Sequence, residues 1–220
     1  MPRVSRAEAE RHRQEVIDHT ARLIREQGSD QVSVPQAMAA AGLTHGGFYR
    51  HFASKDDLVA QALTAAFTER REAMDRLADH PPTGDPTPDP AAPQHPTPRA
   101  EFLARYLSTL HRDNPGQGCA AAALAADAAR AEPGSPLRTA FTAGLRDLAD
   151  GFQHLPDAAE RESALADLST MVGALLLARA SEDPALSDEL LAAARHRLTT
   201  PAAPAGPAAP TTPTGPAGPA

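Results

Sequence analysis

The nine residues Thr44–Phe52, THGGFYRHF, gather hydrogen-bond donors of several kinds in one short stretch. Thr44 and Tyr49 offer hydroxyls, Arg50 a guanidinium and His51 an imidazole. These are the donor types that meet phosphate oxygens and base edges. Phe48 and Phe52 lie four residues apart, at helical spacing, and can pin such a segment to its neighbours. Gly46 and Gly47 are the anomaly, because each glycine costs a helix roughly 1 kcal/mol relative to alanine. Without Cβ atoms, however, the backbone can approach a partner closely. In a major groove about 12 Å wide, that clearance is the best account of the pair.

The flanking residues supply elements to position this stretch. Ser33 can cap a short helix with Pro35 in its first turn, ending near Gly42. Thr44 can cap a third helix reaching about Phe52, after a turn at Gly42–Leu43. Two short helices at that spacing form a helix-turn-helix, whose second helix enters the major groove. Ser54 with Asp57 forms a capping box that opens a long helix toward Asp79, as Ser5 with Glu8 does for the first helix. Lys55, the one lysine in the protein, falls in the first turn of that long helix. The helix dipole disfavours a cation there, and an external anion such as phosphate would explain it.

Across all 220 residues aromatics make up 4% and tryptophan is absent, so the pattern predicts an all-α fold of about nine helices. After the first four come helices near Arg99–Arg112, Gly118–Ala131, Pro136–His154, Asp157–Ser181 and Pro184–Leu198. Pro115, Pro133, Pro156 and Pro184 mark the breaks. The chain divides into a helix-turn-helix unit at 1–55 and a helical unit at 56–198, with a proline-rich loop at 80–98 and a disordered proline-rich tail at 199–220. Net charge is −7, which by itself argues against nucleic acid. The first 71 residues nevertheless hold ten Lys/Arg and nine Asp/Glu, leaving eleven against nineteen beyond, so a near-neutral unit precedes an acidic one. A single cysteine, no secretory signal and apolar runs too short for a bilayer predict a cytoplasmic protein. No nucleotide loop, GxSxG or metal spacing is present among its motifs, so neither enzyme activity nor a cofactor or metal is expected.

Residues 32–63, VSVPQAMAAAGLTHGGFYRHFASKDDLVAQAL, resemble the DNA-binding domain of TetR-type transcriptional regulators. The resemblance rests on Ala41–Gly42, on Tyr49 and Phe52, and on Ser54-Lys55-Asp56-Asp57-Leu58. Ala37–Met38 departs from it, where many members place a large aliphatic residue before a small one. The resemblance implies a two-domain homodimer that represses transcription until a small molecule binds the C-terminal domain. It implies phosphate contacts from Ser33, Thr44, Tyr49, His51 and Lys55, base contacts from His45, Gly46 and Gly47, and either role for Arg50. The competing reading is a helical small-molecule or partner-binding module that no longer binds DNA.

In the C-terminal part, Leu165, Leu168, Val172, Leu175, Leu176, Leu190 and Leu191 give the last two helices more apolar surface than a solvated end needs. Paired across a two-fold axis, residues 157–198 could form a four-helix bundle. Phe102, Tyr106, Phe141, Phe152 and Met171 fall on helices that could line an effector pocket, although apolar residues at helical spacing also make plain core. Cys119 opens an alanine-rich helix after Gly116-Gln117-Gly118, read as a flexible loop, and the helix dipole there favours a reactive thiol. GQGCAAAALAAD is similar to a helix start in one subgroup of the family, some of whose members respond to electrophiles or oxidants through this cysteine. The opposite reading is a small, buried, inert side chain.

Overall fold

A computed structural model describes residues 5–79, 97–155 and 160–200, and within them the chain is all-helical. Helix α1 spans Arg6–Gln27, α2 Val34–Ala40, a 3-10 turn η1 His45–Arg50, and α3 Lys55–Asp79. Then follow α4 Pro98–Tyr106, α5 Thr109–Asp113, a second 3-10 turn η2 Pro115–Gln117, and α6 Ala120–Arg130. The remaining helices are α7 Pro136–His154, α8 Arg161–Ala180 and α9 Pro184–Thr199.

Local chemistry sets most of these boundaries. The hydroxyls of Ser5, Ser33 and Ser54 accept the backbone N–H groups of Glu8, Gln36 and Asp57. Each thus satisfies a donor that a helix start leaves orphaned. Asp57 reaches back to the N–H of Ala53 at 3.0 Å, one residue earlier than a standard capping box. Helix α2 ends in a Schellman motif, with Gly42 N–H bonded to Ala39 O at 3.0 Å and Leu43 N–H to Met38 O at 2.9 Å. That motif needs a left-handed residue, and Gly42 has φ of 70°.

Four boundaries differ from the sequence reading. The helix expected over Arg99–Arg112 is broken at Leu107–Ser108, where the Ser108 hydroxyl accepts the N–H of His111 and starts a new helix. Pro98 and Thr199, assigned to loop and tail, are the first residue of α4 and the last of α9. Proline fits at the first helical position because no intrahelical bond needs its missing N–H. Helix α6 starts at Ala120, with Cys119 as its cap residue. The rest of the loop and tail, the break at Pro156 and the start at Asp157 lie outside the described residues.

One contiguous set of buried apolar side chains runs from Val16 on α1 to Leu198 on α9. Helix α3 links the N-terminal unit to the C-terminal helices, packing on both α1 and α7. The α3–α7 seam is close because α7 presents glycines to it. A Cβ at Gly144 would stand 2.1 Å from the Phe67 ring, and one at Gly151 2.8 Å from the Arg71 side chain. Phe141 completes the seam, edge-on to Phe67 with ring centroids 5.8 Å apart. Helix α8, long and apolar enough by composition to cross a membrane, packs on α6, α7 and α9.

Candidate nucleic-acid interface

Phe48 and Phe52 are buried, 1% and 3% exposed, with ring centroids 5.5 Å apart. Buried Ala37 and Met38 of α2 belong to the same core, so the departure from the family pattern at these positions is absorbed by packing. The Arg13 guanidinium lies 5.6 Å from the centre of the Phe52 ring and donates to Gln61, which donates to Asp57 at 2.9 Å. The hydrogen bonds from Gln61 and from Ala53 N–H hold the Asp57 carboxyl below its ordinary value. These ties run from α1 through α3 to Phe52 and Ala53, just past η1, and they fix where the segment leaves the core.

With its aromatic anchors inside, the segment turns its polar residues outward. Thr44, His45, Gly46, Tyr49 and Arg50 are exposed, and Gly47 and His51 are half-buried. Tyr49 is 78% exposed, unusual for so large an aromatic. Thr44 occupies the cap position, yet its side chain makes no cap bond, contrary to expectation, and its hydroxyl is free to donate elsewhere. The segment itself is a 3-10 turn where an α-helix was expected, closed by Gly47 N–H on Thr44 O at 3.1 Å. A connector of six residues gains little from the longer-range α pattern, and 3-10 turns are frequent in such short pieces.

The structure also tests whether the chain itself needs those glycines. Neither has positive φ. A Cβ at Gly46 would meet nothing within 4 Å, and one at Gly47 would make only ordinary contact with Met38 Cε at 3.7 Å. Ser33, exposed, caps α2 and keeps its hydroxyl hydrogen available. Lys55 donates to the carbonyl of Asp30 at 3.1 Å, so an internal acceptor already accounts in part for a cation in the first turn of α3. The sequence offered no sign of this contact.

The proposed effector and sensor residues divide. Phe102 and Tyr106 line a cavity of about 640 Å³, together with Arg70, Leu77, Leu110 and His111. Phe152 packs behind Phe102 at 6.0 Å between ring centres. Phe141 belongs instead to the α3–α7 seam, and Met171 is fully buried in the core. Cys119 is 1% exposed. The Gly116-Gln117-Gly118 stretch ahead of it is a packed 3-10 turn rather than a flexible loop. A Cβ at Gly116 would stand 2.2 Å from Glu26 Oε1, and one at Gly118 2.5 Å from an Arg179 nitrogen.

His111, beside Cys119, was missed by the sequence reading as a structural residue. Its Nδ1–H donates to Tyr106 O at 2.7 Å, and its Nε2 accepts Cys119 N–H at 3.0 Å. A carbonyl only accepts and an amide only donates, so the imidazole is the neutral Nδ1–H tautomer. Burial, with Arg70 and Arg179 nearby, lowers its pKa to about 4 against the opposing Tyr106 carbonyl bond. Burial, with Cys119 alongside, likewise raises the Tyr106 phenol well above its ordinary value.

Two short helical elements joined by a tight turn, the second with exposed donors, form a helix-turn-helix arrangement on a continuous all-α core. Residues 16–62 match the family described as "Bacterial regulatory proteins, tetR family". That sequence match is confined to the N-terminal unit, and beyond it the likeness to known proteins is one of fold. It is 38% identical over 61 residues to the HTH-type transcriptional regulator AcrR of Shigella flexneri, a match spanning 28% of each protein. Among solved structures it resembles reduced NemR of E. coli, with a TM-score of 0.64 at 19% identity, covering 86% of this chain and 95% of that one. A TetR transcriptional regulator from Chloroflexus aurantiacus gives 0.61 at 24% identity, covering 88% and 96%.

Proposed function

We propose that the protein is a ligand-responsive transcriptional repressor that binds a palindromic operator as a homodimer in the cytoplasm. Residues 1–55 read DNA, and residues 56–198 dimerise and bind the effector. The observation that carries this reading is the pair Gly46–Gly47, exposed or half-buried among outward-facing donors and required by nothing inside the chain. Glycines that a fold does not need make sense as clearance for something outside it. Ser33, Thr44, Tyr49, His51 and Lys55 then bind phosphates, His45, Gly46 and Gly47 face bases, and Arg50 reaches one or the other.

Dimerisation draws support from α8 and α9. Leu165, Leu176, Leu177 and Leu186 are exposed there, with Leu177 at 56%, whereas Leu168, Leu175 and Leu191 are already buried within one chain. Only a third of the most apolar stretch of α8 is buried inside the protomer. A second copy of this face would cover the rest and hold two reading units roughly 34 Å apart, one turn of DNA. The effector reading is supported by the cavity at Phe102 and Tyr106. The deciding experiment is a mobility shift with DNA flanking the protein's own gene. Wild type is expected to give a discrete salt-sensitive complex, and Gly47→Leu to lose it while keeping its fold. A Gly47→Leu protein that still binds the same site defeats the clearance argument.

A further inference from the structure

The corner between α1 and α2 meets α6 at one carboxylate. Asp127 Oδ2 accepts both the Ser29 N–H at 2.7 Å and the Ser29 hydroxyl at 2.9 Å. These residues are 98 positions apart, and Ser29 is 4% exposed. Among the described residues neither donor has another acceptor, so both donors of Ser29 rest on Asp127. The other carboxylate oxygen is held by Arg130 at 2.9 Å, which aims the group. Gly28 makes room for it: φ is 85°, and a Cβ there would stand 3.2 Å from Oδ2.

Helix α6 carries this contact near one end and the His111 contact at the other, where Nε2 receives the N–H of its cap residue Cys119. His111 lines the cavity at Phe102 and Tyr106. An eleven-residue helix is a rod about 16 Å long, stiff along its axis. Its first amide is thus tied to the cavity wall, and its last turns to the corner that leads into α2 and the reading turn. The adjacent η2 turn braces the same end of α1 through the close approach of Gly116 to Glu26.

We infer that Asp127 is a positioning residue for DNA reading: its bonds to Ser29 fix the angle of the reading unit against the C-terminal helices. The inference rests on the proposed reading of residues 33–55 as the DNA-contacting surface.

The test combines a distance measurement with DNA binding. Spin labels are placed at the exposed positions Asp18 on α1 and Glu189 on α9, in a Cys119→Ser background and diluted with unlabelled chain. Asp127→Ala is expected to widen the label-to-label distance distribution about twofold. It should also weaken operator binding about tenfold, the scale of one lost hydrogen bond to a charged group, with random-duplex binding unchanged. Asp127→Asn, which keeps an oxygen acceptor, should restore most of both. Should Asp127→Ala fail to fold, Ser29→Ala is expected to show smaller changes in the same direction. A distribution superimposable on wild type overturns the inference, as does an equal fall in operator and random-duplex binding. Widening in a protein that binds no DNA at all would uphold the joint and defeat the functional reading beneath it.

Discussion

Acid should loosen this protein through His111 before its carboxylates are protonated. The unfolded chain takes a proton at this imidazole near 6.5, whereas the folded chain does so only at about 4. Because the folded value is the lower one, the unfolded state binds more protons in that interval. Stability is therefore complete above about pH 6.5, falls as pH drops toward 4, and levels off below it. The fall from 6.5 to about 4, at about 1.4 kcal/mol per pH unit, sets an upper value of roughly 3.5 kcal/mol. The half-buried ring is partly reached by water, which trims that figure. The assay is urea unfolding of wild type and His111→Gln from pH 4 to 8. Other titrating groups are common to both proteins and cancel in the difference. The difference is expected to grow by up to about 1.4 kcal/mol per pH unit between pH 4.5 and 6 and to be constant above 7. A difference that is flat across the range, or an imidazole that titrates by NMR near 6.5 in the folded protein, refutes the reasoning.

Further outcomes follow from other contacts. Lys55→Ala is expected to weaken binding to all duplexes and reduce the salt slope by about 0.9, whereas Tyr49→Phe should weaken binding with the slope unchanged because no charge is removed; titration at three salt concentrations checks both. Leu177→Glu with Leu176→Glu should give monomers by sedimentation at micromolar concentration while leaving helicity intact, and an unchanged dimer would remove α8 from the interface. Gly144→Ala should destabilise the chain by about 2 kcal/mol despite alanine's better helix propensity, because its Cβ would stand 2.1 Å from the Phe67 ring; thermal unfolding measures it.

What could be read from the sequence was local in origin. The caps at Ser5, Ser33 and Ser54 and the stop at Gly42 involve partners within five residues, so their spacing along the chain already contains the contact. The anchor-and-donor pattern of Thr44–Phe52 was legible for the same reason. Its 3-10 form was not, since the glycines signal a weak helix without saying which one. Ser108 carried a readable cap signal that a search for Pro and Gly breaks passed over. Gly116 and Gly118 were misread because a glycine beside empty space and one beneath a neighbouring helix look identical in sequence. Asp127 and Ser29, like Lys55 and Asp30, meet only through the tertiary fold, and nothing near either residue foretells it.

The open space beside Gly46 bears on how such a protein diverges. A side chain introduced there would meet nothing of its own fold, so natural variants at this position should be sorted by their DNA targets rather than by survival of the folded chain. On the proposed reading, a duplicated gene could thus explore new DNA targets through residue 46 while its helical body stayed as it was. In a randomised library, position 46 should yield proteins of nearly uniform melting temperature and widely different target preference.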